Sequence, residues 1–189
     1  MDQVDADTLA TRIRDCALLT GRFTLRSGAV GTVYWDKYRF ESDPALLRAI
    51  ARQMRPLLPS GAFRLAGLEL GGIPLATALS LETGAPALFV RKTAKSYGTA
   101  NLVEGGFRPG EFAVVVEDVV TSGGQACTSV KQMRELGLIV ENVVCVIDRE
   151  EGGAENIAGI GCRLAPLFTM SELNRLAGGE RTAVGTPPA

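Results

Sequence analysis

Two uninterrupted apolar runs, Val114-Val115-Val116 and Val143-Val144-Cys145-Val146-Ile147, set the strongest limit on what this chain can fold into. A strand with one wet face alternates apolar and polar side chains, whereas a run without alternation must be covered on both faces. Helix-spaced segments separate these runs, so the order strand, turn, helix repeats. That order predicts an α/β fold: a central, mostly parallel sheet with helices on both faces. The repeat opens with a strand at 64–70, a Gly71-Gly72 turn and a helix over 73–83, with Pro74 early and Gly84 closing it. A short buried strand follows at 87–90, then a strand at 112–116. The spacing predicts a helix over 125–136 that turns Ala126, Val130 and Met133 inward and is capped by Gly137, and then a strand at 142–147.

Upstream, Leu9, Ile13, Cys16 and Ala17 share one face of an amphipathic helix, with Gly21 as its expected stop. Residues 23–40 (FTLRSGAVGTVYWDKYRF) alternate β-branched and aromatic side chains around glycines and predict two short strands and a turn. Ser42-Asp43-Pro44 reads as a helix start, a capping side chain followed by proline in the first turn. Leu47, Ile50, Met54 and Leu57 line one face of that helix, and Pro59-Ser60-Gly61 ends it. Residues 92–110 break the rhythm: glycines and a proline surround lysines with no sustained period. A loop of that length inside a domain is usually a lid or an insertion, and the lysines favour a lid. The last stretch, GGERTAVGTPPA, has too little apolar content to fold alone, so residues 179–189 are expected to fray from a single domain spanning 1–178.

Composition excludes several chemistries. The chain has 189 residues and no histidine, which removes imidazole acid–base steps, Ser-His and Cys-His nucleophile pairs and histidine metal sites. With 20 basic against 21 acidic side chains, bulk attraction to nucleic-acid phosphates is not expected. No run approaches the roughly 18 apolar residues of a membrane span. The start, MDQVDADTLA, lacks the basic and apolar regions of a secretion signal. Cys16, Cys127, Cys145 and Cys162 form no CxxC pair, so a reduced, cytoplasmic setting is expected, with Cys127 and Cys145 as structural thiols in apolar stretches.

The chemistry concentrates in Val114 to Gln125, VVVEDVVTSGGQ. A buried strand delivers Glu117 and Asp118 to the carboxyl edge of a parallel sheet, where ligands of open α/β folds bind. Thr121, Ser122, Gly123, Gly124 and Gln125 then offer hydroxyls and backbone N–H groups at a helix start, a cradle for a phosphate. The GK[ST] pair of a Walker A loop is missing. Acids beside a phosphate cradle would repel the phosphate unless they grip something else. The vicinal hydroxyls of a ribose whose 5-phosphate sits on the following loop meet that requirement.

This segment resembles the phosphoribosyl pyrophosphate (PRPP) signature of the type I phosphoribosyltransferases. Phe23-Thr24-Leu25-Arg26-Ser27-Gly28, Arg91-Lys92-Thr93-Ala94-Lys95 and Asp148-Arg149-Glu150-Glu151 extend the resemblance to the orotate phosphoribosyltransferases, from about Leu18 to Met170. The resemblance implies a small hood over residues 1–40 and a long flexible catalytic loop over 92–110. It implies a PRPP site made by Glu117, Asp118, Val119, Val120, Thr121, Ser122, Gly123, Gly124 and Gln125, with Gly71 and Gly72 on the pyrophosphate side. Some members carry a lysine at that turn where this chain has Gly71. Arg91, Lys92 and Lys95 match the basic residues of the lid and its flank, the implied electrostatic catalysts, and Tyr97 stands where many relatives have a lid histidine.

In the family these lid residues reach PRPP on the neighbouring subunit, which implies a homodimer with shared sites. Thr121 and Arg149 match the orotate contacts, and Arg26, Ser27 and Gly28 are expected to close over the base. Arg149 has a physical argument of its own, because it follows a buried strand and its fork suits a planar carboxylate. Pairing with its acidic neighbours is the competing expectation. Tyr34 and Trp35 are expected in core or dimer packing rather than against the base. The implied activity is Mg2+-dependent transfer of ribose 5-phosphate from PRPP to orotate, giving orotidine 5′-monophosphate on the route to UMP. The metal would be held mainly through PRPP and water, with no direct protein ligand. A purine or uracil phosphoribosyltransferase, or a PRPP-sensing regulator, stays open as an alternative.

Overall fold

The computed structural model describes residues 4–24, 28, 30–93 and 101–176. Helix α1 (Ala6–Ala17) leads into the antiparallel strands β1 (Leu18–Thr24) and β2 (Val30–Trp35), followed by the short helix α2 (Tyr38–Ser42) and by α3 (Pro44–Met54). Next come β3 (Arg64–Leu68), α4 (Gly72–Thr83), β4 (Ala87–Val90) and the two-residue strand β5 (Val103–Glu104). The chain continues through β6 (Phe112–Val120), α5 (Gly124–Glu135), β7 (Ile139–Asp148), α6 (Gly153–Gly159), β8 (Arg163–Thr169) and α7 (Met170–Leu176).

The main sheet runs in the order β5-β4-β3-β6-β7-β8, parallel throughout except for β5 at one edge. Alternate side chains of its central strand enter opposite layers. Val114 and Val116 pack with Leu9, Ile13, Ile50 and Leu75, while Val115 packs with Val130, Met133 and Val143. This two-sided burial is the reason for the non-alternating apolar runs. The helix start at Ser42-Asp43-Pro44 is realised through Asp43, whose carboxylate accepts from the Ala45 and Leu46 amides at 2.8 and 2.9 Å.

Several boundaries differ from the sequence reading. Helix α1 stops at Ala17 rather than Gly21, because Leu18 turns extended and pairs with Trp35. Residues 38–40, expected to belong to a strand segment, open α2 instead, which buries Phe40 and Glu41. Five residues are too few for a helical period to be read. Strands β6 and β7 outrun their apolar cores: β6 continues through Glu117 and Asp118 to Val120. The expected lid loop, 92–110, contains β5, which pairs with β4. Trp35 packs on the core as expected, whereas Tyr34 stays 45% exposed and tilts against Phe23, ring centroids 5.5 Å apart. The expected tail lies outside the described residues.

Candidate active site

Strands β3, β6 and β7 all end at one edge of the sheet, so the turns 69–71, 121–123 and 149–152 lie side by side there. The turn after β6 opens α5. Gly123 adopts φ 72°, a left-handed conformation that other residues resist, and no side chain caps the helix. The first-turn amides therefore face outward without a side-chain acceptor, with the positive end of the helix behind them. Thr121, Ser122, Gly124 and Gln125 are exposed. A Cβ on Gly124 would meet only Ser122 Oγ, at 3.7 Å, which leaves room for a ligand to approach the backbone. Helix α6 braces the turn from below. Asn156 Nδ2 donates to the Ser122 carbonyl at 2.9 Å, and Gly153 is packed so closely that a Cβ there would lie 2.4 Å from Val120 and 2.6 Å from the Thr121 carbonyl. Neither buttress has a sequence signal, since both act across 30 or more residues.

Glu117 and Asp118 arrive together but in different surroundings. Glu117 is 9% exposed, and burial followed by the charge of Asp118 pushes its pKa up to about 8, against a weaker pull from Lys37 and Lys92. Asp118 is fully buried, whereas the sequence offers both acids alike to the ribose hydroxyls. Its Oδ1 accepts from the Val119 amide at 2.6 Å and its Oδ2 lies 2.7 Å from Lys37 Nζ. Glu41, 6% exposed on α2, lies beside it. Burial and the neighbouring Asp118 carboxylate push the Glu41 pKa up to about 9. Lys37 and Glu41 are site residues that sequence reasoning missed. Lys37 lies in a segment read as strands and Glu41 just beyond it, and only tertiary packing brings them to Asp118.

The turn 69–71 runs over this cluster. A Cβ at position 71 would lie 1.7 Å from Asp118 Oδ2 and 2.7 Å from Glu41 Oε1, and one at position 72 would lie 2.2 Å from the Val116 carbonyl. Both glycines are thus required by close approach. No side chain fits at 71 unless Asp118 moves. Beside the turn, Glu69 Oε2 accepts from the Lys92 amide at 3.0 Å and anchors the start of the lid segment. Arg91 Nε sits 3.3 Å from Glu104 on β5, and its own amide donates to the Leu102 carbonyl.

Across the edge, the Arg149 amide donates to the Val120 carbonyl at 2.9 Å, which puts Arg149 next to Thr121. The guanidinium is exposed and pairs with Glu151 at 2.9 Å, so the local ion pair is formed in this state. Gly28 is exposed with φ 84°. Arg26, Ser27, Lys95 and Tyr97 lie outside the described residues. A separate cavity of about 440 Å³ opens at the opposite edge of the sheet, between Arg55, Phe63, Thr83 and Pro86, and its lining holds no carboxylate.

A mostly parallel sheet ending in an acid pair and an uncapped, glycine-lined helix start, preceded by a separate two-stranded unit, is the architecture of the type I phosphoribosyltransferases. No family model matches the chain. The orotate phosphoribosyltransferase of Nocardioides sp. (strain ATCC BAA-499 / JS614) is 48% identical over 167 residues, 88% of this chain and 93% of that protein. The crystal structure of Mycobacterium tuberculosis H37Rv orotate phosphoribosyltransferase in complex with Fe(III) dicitrate superposes with a TM-score of 0.81 at 35% identity, covering 90% of this chain and 99% of the other. The same enzyme in complex with PRPP gives 0.78 at 33% identity, over 90% and 99% of the two chains. The chain belongs to the orotate phosphoribosyltransferase family.

Proposed function

We propose that this chain transfers ribose 5-phosphate from PRPP to orotate, releasing pyrophosphate and forming orotidine 5′-monophosphate for pyrimidine synthesis. The observation that carries this reading is the uncapped start of α5 directly downstream of the buried Glu117-Asp118 pair. Together they suit a group that is a sugar diol at one end and a phosphate at the other. The 5-phosphate takes the amides of residues 122–125, the positive end of the helix. Glu117 accepts from the ribose hydroxyls, and Asp118 sets the floor beneath the Gly71-Gly72 turn.

Orotate enters at Thr121 and Arg149, whose guanidinium exchanges Glu151 for the substrate carboxylate. Arg26, Ser27 and Gly28 close over the ring. Ring N1, beside the carbon that bears the carboxylate, attacks the anomeric carbon as the bond to the diphosphate oxygen breaks, and its proton passes to water without a protein base. The electron pair leaves with pyrophosphate. Arg91, Lys92 and Lys95 stabilise the growing negative charge, with Tyr97 as a further donor. Closure of the lid keeps water from the activated sugar.

Among the described residues no group of three acids, cysteines or histidines could hold a metal alone. Both oxygens of buried Asp118 are engaged, by the Val119 amide and Lys37, so Mg2+ would be carried by the diphosphate and water rather than by a protein ligand. When bound, the metal neutralises charge on the leaving group. Homodimerisation, with each lid serving the neighbouring site, is part of the proposal, as is a cytoplasmic setting, in keeping with four unbridged cysteines. No described helix is long and apolar enough to cross a membrane.

Loss of orotate absorbance on adding PRPP and Mg2+ tests the reading. Turnover of orotate, with adenine, hypoxanthine and uracil inert, is the expected result. Turnover of one of those bases with orotate inert would overturn the assignment.

A further inference from the structure

Lys37 stands between β2 and α2, outside every segment with a sequence motif. Its ammonium lies 2.7 Å from Asp118 Oδ2 and 5.5 Å from the centre of the Tyr38 ring. The lysine side chain is 36% exposed while that of Asp118 is 1% exposed, so the carboxylate anchors the cation from below and leaves its outer side open. An ammonium has three N–H donors and Asp118 occupies one direction. The anchoring oxygen also lies against the turn, 1.7 Å from where a Cβ of Gly71 would stand. The cation is therefore held at the Gly71-Gly72 turn, where no side chain of the turn itself can reach out.

The groups facing Lys37 are the carboxylates of Asp118 and Glu117 and the phenol of Tyr38. Glu41 also lies within electrostatic reach. Burial works against the ammonium, and Asp118 with Tyr38 and Glu117 together outweigh it, so the net shift of the Lys37 pKa is upward.

We propose that Lys37 binds the diphosphate of PRPP, presented by the buried Asp118 as the side-chain cation of the Gly71-Gly72 turn. This rests on the PRPP reading above and adds to it a residue and its ligand: the diphosphate, not the ribose 5-phosphate. Calorimetric titration with PRPP, pyrophosphate and ribose 5-phosphate, each with Mg2+, tests it in wild type, Lys37→Met and Lys37→Arg. Loss of one charge-assisted contact should weaken PRPP and pyrophosphate by ~10- to 100-fold in Lys37→Met. Ribose 5-phosphate should bind as in wild type, and Lys37→Arg should recover much of the loss. The double variant Lys37→Met/Asp118→Asn removes both charges and guards against misfolding from an unpaired carboxylate. It should fold and still bind pyrophosphate poorly. Unchanged pyrophosphate affinity in Lys37→Met, or an equal loss for ribose 5-phosphate, would overturn the proposal. Wild-type protein that binds none of the three ligands would instead refute the PRPP reading itself.

Discussion

Replacing Gly71 with alanine tests how tightly the turn is set on the acid cluster. The backbone there (φ −68°, ψ −28°) suits any residue, so the cost is steric alone. The new Cβ would lie 1.7 Å from Asp118 Oδ2, 2.5 Å from its Cγ and 2.7 Å from Glu41 Oε1. Relief requires Asp118 to retreat by more than an ångström, which breaks its 2.7 Å pairing with Lys37. Overpacking alone costs roughly 1–3 kcal/mol, and breaking a fully buried ion pair roughly 3–5. Because Lys37 keeps partial contact with water, the lower ends of these ranges apply. The expectation is a loss of about 3 kcal/mol in urea unfolding, or roughly 6–12 °C in Tm for a chain of this size. PRPP affinity should fall at least about tenfold, the equivalent of one lost hydrogen bond to a charged group. Gly106→Ala is the control, because a Cβ there meets nothing within 4 Å, and it should stay within about 0.5 kcal/mol of wild type. Wild-type stability and PRPP affinity in Gly71→Ala would refute the packing argument.

Further outcomes follow from the same geometry. Glu117 and Glu41 have folded-state pKa values raised to about 8 and about 9, so their stabilising contribution is complete below the ordinary carboxylate range and is lost as pH climbs through those values. In the unliganded protein Glu117 alone should remove about 2 kcal/mol between about pH 6 and 8, and denaturant midpoints of Glu117→Gln should show a flatter fall. Lys95→Ala should lose on the order of a hundredfold in kcat while PRPP still binds, and a near-normal kcat would remove Lys95 from the chemistry. Arg149→Ala should raise KM for orotate about 10- to 100-fold, because one charge-assisted contact is lost, with the PRPP Kd largely kept. A loss of PRPP affinity instead would mean that the base site is elsewhere.

The features legible in the sequence were those that local chemistry dictates. Val114-Val115-Val116 could only be a strand covered on both faces, and the small residues after Val120 could only open a helix that leaves its amides free. Asp43 before Pro44 announced α3, and Gly84 its counterpart at the end of α4. What stayed hidden depends on distance along the chain. Glu41 and Lys37 gain their meaning from Asp118, more than 70 residues away, and α2, which carries Glu41, is too short to show a period. Asn156 and Gly153 brace the phosphate turn through contacts with Ser122, Thr121 and Val120 that no local pattern encodes. The Gly71-Gly72 pair is legible as a turn, but its cause is space: one glycine lies against Asp118 and the other against the Val116 carbonyl. The sequence presents the acid pair as equivalent, whereas alternation along β6 and the Lys37 pairing divide its members.

A crystal structure of this protein with PRPP and Mg2+ bears most directly on the central claim. The 5-phosphate should rest on the amides of residues 122–125, with the ribose hydroxyls at Glu117 and the diphosphate along Gly71-Gly72. A sugar phosphate bound elsewhere, such as in the hollow between Arg55 and Pro86, with the start of α5 left bare, would contradict it.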